Sequence, residues 1–264
     1  MNKFLKKNNF IFFILKFFQS KLKKILNMII IYSGLEDRIN KIERALIHNL
    51  EKKNFSWEAF CLNGQKYRKE ILTQILTKIK FELIVETGTE YGFSTKFFSQ
   101  FTKKVITIEK SKPNFYIAKN NLKEEENIKV ILNDSKNLDL ILKKEDINFI
   151  SDTSTFFYLD AHSEDDYPLL EEVSIILNNF KNFILLIDDF EIVGDDGYGY
   201  DSFKGKKLNI KFIKNLLSEK NFVFFPNIPS KKETGRLRGY VLITNNDKFK
   251  KILMNLDSLS IFNI

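Results

Sequence analysis

From Phe81 onward, short runs of Val, Ile, Leu and Phe alternate with stretches in which apolar residues recur every three or four positions. The runs are 83–86, 105–109, 128–132, 155–160 and 183–188. Near-continuous apolar strands separated by helical patterns predict a parallel sheet buried on both faces. A later pair, 222–225 and 240–244, is joined by a Pro/Gly/Lys-rich segment and predicts a hairpin closing the sheet edge. Right-handed crossovers then give a Rossmann-like, doubly wound α/β domain over 81–264. Phe97, Phe98 and Phe101 recur at helical spacing and read as core.

Two helical segments precede this domain. In residues 1–34, Leu15, Phe18, Leu22, Ile25 and Ile29 share one helical stripe, with Lys16, Lys23 and Lys24 turned away. The longest apolar run, Phe10 to Leu15, is far short of the roughly 18 residues of a spanning helix. No small-residue cleavage site follows it, which argues against a secretory signal. Such a basic amphipathic leader suits either an anionic membrane surface or packing on protein. Over 35–53, Leu35, Ile39, Ile42, Leu46 and Leu50 form a second stripe, a docking helix or a short homodimer seam. A further helical pattern at 66–80 completes an extension over 35–80.

Charge sharpens the division. The chain of 264 residues carries 42 Lys+Arg and 34 Asp+Glu, a net of +8. Residues 1–34 hold seven lysines and no acid; without them 35 basic residues face 34 acidic ones, a net of +1. A neutral body argues against a nucleic-acid partner. One cysteine, Cys61, excludes a disulfide framework and fits the reducing cytoplasm, with peripheral contact at the inner membrane face through the leader. His48 reads as a surface residue, and two histidines exclude multi-His metal chemistry.

The acidic residues fall at strand ends, where ligands of open α/β sheets bind. The first run ends in Glu86-Thr-Gly88-Thr-Glu-Tyr-Gly92-Phe-Ser94-Thr95, the second at Glu109, the third at Asn133-Asp134-Ser135, the fourth at Asp160-Ala-His162 and the fifth at Asp188-Asp189. Gly88 and Gly92 let the backbone approach a ligand. Their G-x-x-x-G spacing is neither a dinucleotide fingerprint nor a triphosphate loop. Glu109 stands where an acid accepts bonds from a ribose diol, and Asp134 and Ser135 where an adenine or amino group is contacted.

Together E-T-G-T-E-Y-G-F-S-T, V-I-T-I-E, N-D-S, Y-L-D-A-H and L-I-D-D-F resemble a class I S-adenosylmethionine-dependent methyltransferase over about residues 81–244. Within that superfamily, D-x-H and I-D-D-F are similar to metal-dependent O-methyltransferases of the macrocin O-methyltransferase type, which act on sugar hydroxyls. The resemblance implies seven strands, the last antiparallel, and S-adenosylmethionine across the glycine turn. It implies a cofactor turn of Glu86, Gly88, Gly92, Ser94 and Thr95, with Glu109 on the ribose and Asp134 on the adenine side. It also implies Asp160, Asp188 and Asp189 as ligands of Mg²⁺ or a similar cation. His162 departs from the pattern, since sugar-modifying relatives tend to carry an acid there.

Three carboxylates without sulfur suit a hard cation, which would lower the pKa of an acceptor hydroxyl. The alternative for Asp188-Asp189 is a helix cap plus a surface acid. His162 suits a proton acceptor beside Asp160, a metal ligand or a solvent-facing loop residue. Glu164, Asp165 and Asp166 read as a solvated loop. The glycine-rich segment 193–205 predicts a mobile substrate lid presenting Tyr198 and Tyr200 to a saccharide or other small acceptor. Arg236 and Arg238 suit an acidic group on that acceptor, or the surface. The expected activity is metal-assisted O-methylation of a saccharide or small metabolite. The alternative is a non-catalytic cofactor-binding domain tethered by its leader.

Overall fold

In the computed structural model, which describes residues 57–145, 153–161 and 167–263, the apolar runs become strands within a residue or two of their expected bounds. These are β1 (Leu83–Thr87), β2 (Val105–Glu109), β3 (Ile128–Leu132), β4 (Thr155–Leu159) and β5 (Phe183–Asp188). A two-stranded ribbon, β6 (Ser202–Phe203) and β7 (Lys206–Lys207), precedes β8 (Phe222–Pro226), β9 (Tyr240–Thr244) and β10 (Leu259–Phe262). The main sheet has eight strands in the order β10-β8-β9-β5-β4-β1-β2-β3. β1 to β5 pair in parallel. β9 is antiparallel and wedges between β5 and β8. This is a Rossmann-like, doubly wound order with an antiparallel seventh strand, extended by one edge strand. That strand, β10, which the apolar pattern does not predict, pairs with β8, so the β8–β9 hairpin does not itself close the edge.

Helices α1 (Lys66–Lys78), α2 (Phe93–Ser99), α3 (Lys112–Asn121), α4 (Leu138–Lys144), α5 (Leu169–Asn179), α6 (Ile210–Ile213) and α7 (Asp247–Met254) flank the sheet. Strand alternation divides the interior in two. Leu83, Val85, Phe157, Leu185 and Ile187 join one core with Leu138 and Leu142 of α4 and Val173 and Ile176 of α5. Ile84, Phe156, Tyr158, Ile184 and Leu186 join the other with Ile71, Leu72 and Ile75 of α1 and Phe97 and Phe98 of α2. Every residue of β1, β2, β4 and β5 is buried, which is why their sequences read as unbroken apolar runs.

α1 therefore belongs to the same core as the sheet, although its sequence reads as part of an N-terminal extension. The segment leading into it, Cys61-Leu-Asn-Gly, is unusual. Leu62, Asn63 and Gly64 carry φ of 54°, 62° and 68°, three left-handed residues in succession. The loop before β9 holds this strap: Arg236 N–H donates to the Asn63 carbonyl at 2.9 Å, and the Glu233 carboxylate accepts from the N–H groups of Tyr67 and Arg68 at 3.0 Å each. Glu233 thereby satisfies two of the orphan donors at the start of α1.

The leader (1–34), the 35–53 helix with His48, and His162 with Glu164, Asp165 and Asp166 lie outside the described residues. No helix among the described residues is long and apolar enough to cross a membrane.

Candidate active site

The carboxyl ends of the four strands β4, β1, β2 and β3 are tied into one rim. Asp160 N–H donates to the Thr87 carbonyl at 3.0 Å, Gly88 N–H to Ile108 at 2.9 Å, and Asn133 N–H to Glu109 at 3.0 Å. Outside this rim opens a cleft of about 490 Å³. Gly88, Glu109, Asp134, Ser135, Asp160 and Asp189, all expected from the sequence, line it. So do Asn63, Glu90, Lys110, Asn133 and Arg236.

Gly88 has φ 82°, and a Cβ there would stand 2.3 Å from the Asp160 carbonyl oxygen. The turn and the end of β4 touch backbone to backbone, which only glycine permits. Gly92, with φ 81°, begins α2, and a Cβ on it would meet the Leu122 side chain at 2.7 Å. Its contribution is to the turn and to packing, since the cleft lining does not include it.

Glu109 is the most firmly held carboxylate of the cleft wall. Its Oε2 accepts the Glu90 N–H at 2.8 Å and its Oε1 accepts the Ser111 N–H at 2.7 Å. Burial pushes its carboxyl above the usual range while these backbone donors pull it back. Each oxygen keeps capacity for a further donor from the cleft. Glu90 itself sits at φ 49°, a strained conformation beside a candidate ligand. Asp134 caps the turn at Ser135–Asn137 through the Lys136 N–H and pairs with Lys110 at 2.7 Å.

Glu86 lies behind the turn instead of on the cleft wall. Its carboxylate accepts from Thr107 Oγ1 at 2.6 Å and from Thr95 Oγ1, so Thr95 of the expected cofactor turn is a clasp between α2 and β1. Ser94 Oγ accepts the Leu62 N–H at 3.0 Å and anchors the strap.

The three aspartates do not gather. Asp188 shares the strand parity of Ile184 and Leu186, so its side chain enters the α1-side core and is fully buried. There its Oδ2 pairs with Arg68 at 2.7 Å and accepts from Tyr158 Oη at 2.5 Å and Asn63 Nδ2 at 3.2 Å. Asp189 lies one residue past the strand at φ 55° and pairs with Arg238, which also pairs with Asp201. Among the described residues, no group of three His, Cys, Asp or Glu side chains is placed to hold a metal ion. The expected Asp160–Asp188–Asp189 ligand set is corrected on that ground. A signal was present: Arg68 falls on the buried stripe of Ile71, Leu72 and Ile75, and a charge on an apolar stripe demands a buried partner.

The segment 193–205 is pinned, not poised as a lid. Tyr198 is buried and its hydroxyl donates to the Ile228 carbonyl at 2.9 Å, so it offers no face to an acceptor. The Asp195 carboxylate accepts from Ser230 N–H at 2.7 Å, and Gly199 N–H donates to Leu237 at 2.7 Å. Tyr200 is half-buried, with Lys207 Nζ 4.7 Å from its ring centre, and is not part of the cleft lining.

No family model matches the chain, and no curated protein matches its sequence. Solved structures do resemble it. An rRNA methylase from Streptococcus thermophilus is 18% identical with a TM-score of 0.45, over 66% of this chain and 95% of that one. The O-methyltransferase from Bacillus cereus, in complex with SAH, is 18% identical at 0.45, over 67% and 78%. The O-methyltransferase TomG from Streptomyces achromogenes, involved in tomaymycin synthesis and in complex with SAM, is 16% identical at 0.44, over 67% and 77%. At these values the chemistry has to come from this chain's own residues.

Proposed function

We propose that the chain is an S-adenosylmethionine-dependent O-methyltransferase acting on a hydroxyl of a saccharide or small metabolite. The observation that carries this is Glu109. A carboxylate fixed by two backbone N–H groups at the end of β2, facing a cleft beside a glycine turn, is built to accept two hydroxyl donors from a ribose. Asn133, Asp134 and Ser135 then flank the base. The wall also carries Glu90, Asp160 and Asp189 against Lys110 and Arg236, an acidic balance that favours a ligand bearing ammonium and sulfonium charges.

Methyl transfer needs an acceptor oxygen held in line with the donor methyl, a positioning effect worth about 7–11 kcal/mol. The oxygen lone pair forms the new C–O bond, the C–S pair passes to sulfur to leave a neutral thioether, and the hydroxyl proton passes to a base. Asp160, beside Gly88, and His162, two residues further along the chain, are the proposed proton acceptors. The finer expectation of metal assistance does not fit the described residues, because Asp188 is held by Arg68, and no step is assigned to an ion. The basic leader remains a proposed contact with an anionic membrane surface, and residues 35–53 a proposed homodimer seam.

Calorimetric titration with S-adenosylmethionine and S-adenosylhomocysteine tests the reading. Saturable binding of both, followed by transfer of a labelled methyl group to a hydroxyl acceptor, is expected. Absence of binding by either cofactor form overturns it.

A further inference from the structure

We infer that this cleft transfers its methyl group without a divalent cation on the Asp160–Asp188–Asp189 trio, because guanidinium groups of the chain itself hold the two carboxylates at the end of β5, Asp188 and Asp189. The inference rests on the methyl-transfer reading and narrows its acceptor class.

Asp188 is already engaged by four donors. A carboxylate offers about four acceptor sites. Oδ2 takes Arg68, Tyr158 and Asn63, and Oδ1 takes the Asp189 N–H at 2.7 Å. Arg68 is as firmly placed: it is fully buried, its guanidinium carbon lies 4.8 Å from the Tyr240 ring centre, and its Nη2 donates to Tyr158 at 3.2 Å. Freeing Asp188 for an ion would strand this guanidinium in an apolar core, an uncompensated buried charge. The tie is also fixed from outside the sheet, since Glu233 holds the first turn of α1. Asp189 is engaged by the Arg238 fork, whose other arm reaches Asp201. Asp189 follows Asp188 directly and carries a left-handed backbone, with φ 55°. With two of the three carboxylates held in this way, the trio is not a ligand set, and the internal cations balance their charge.

The consequence is chemical. A metal activates an acceptor by gripping two neighbouring oxygens and lowering a hydroxyl pKa. Without one, a vicinal diol is not required. The proton leaves to a carboxylate or imidazole as the C–O bond forms, which favours a single hydroxyl that is already acidic, such as a phenol or an enol.

Manganese electron paramagnetic resonance on the full chain with S-adenosylhomocysteine bound tests this. The free-ion spectrum is expected to be the same with and without protein. Uptake of one Mn²⁺ per chain that is lost in Asp160→Asn or Asp189→Asn overturns the inference. Uptake retained in both variants marks an ion held elsewhere and upholds it. Calorimetry with S-adenosylhomocysteine in excess chelator separates the two levels. No binding there sinks the methyl-transfer reading itself, whereas binding together with the variant-sensitive uptake sinks only the metal-free inference.

Discussion

Glu86 and Thr107 stand opposite one another in the β1–β2 register, and the threonine hydroxyl donates to the carboxylate at 2.6 Å. Glu86 is buried, and desolvation pushes its pKa up to about 7 against the opposing pull of Thr107 and Thr95. An acid raised in the folded state binds more protons than the unfolded chain between its two pKa values. Stability from this group is therefore greatest below about pH 4.5 and falls as pH rises towards 7, by roughly 3 kcal/mol in all. Glu86→Gln keeps an oxygen for both threonines and removes the titration. Thermal melts of that variant should show a flatter profile between pH 5 and 7 than the parent; parallel profiles would contradict the assignment.

Glu109→Ala removes the carboxylate that faces the cleft. Losing two charge-assisted bonds, each worth about 1.5–3 kcal/mol, should weaken S-adenosylhomocysteine binding by roughly a hundredfold or more. Calorimetry reads this directly, and parental affinity in the variant counts against a ribose at Glu109.

Gly88→Ala drives a methyl group into the Asp160 carbonyl, 2.3 Å away, at a φ of 82°. Overpacking and backbone strain together should cost about 2–5 kcal/mol. A lowered melting temperature with reduced cofactor binding is the expected pair of results, and a melt unchanged from the parent would show that the turn relaxes freely.

Asp188→Asn should behave as a core lesion. It leaves Arg68 buried with no counter-charge, a loss of about 3–5 kcal/mol. The double variant Asp188→Asn with Arg68→Met should recover a large part of that loss in denaturant titrations. Additive losses would mean that the pair is not coupled.

Tyr198→Phe deletes only the hydroxyl bond to Ile228, and should cost about 1 kcal/mol of stability while leaving turnover intact. A selective rise in acceptor KM would restore Tyr198 to the acceptor site.

The strands were legible because burial on both faces writes itself as uninterrupted apolar sequence, and Glu109 because it ends such a run. The partners of the aspartates were not. Whether Asp188 faces the cleft or the core depends on strand parity and on Arg68, 120 positions earlier in the chain. Likewise the glycines at 194–199 read as freedom, yet Ser230 and Leu237 supply the bonds that remove it. β10 is not legible because it is a four-residue edge strand whose apolar run Ser260 interrupts.

The left-handed strap at residues 62–64 means that the α/β domain cannot be excised at the start of its first strand. A polypeptide trimmed to begin at Phe81 would lack Asn63, and with it a wall of the ligand chamber. It would also leave the terminus of β5 as a naked anion under an open groove. The stretch that looks like a mere preface is a structural tenant of the α/β domain.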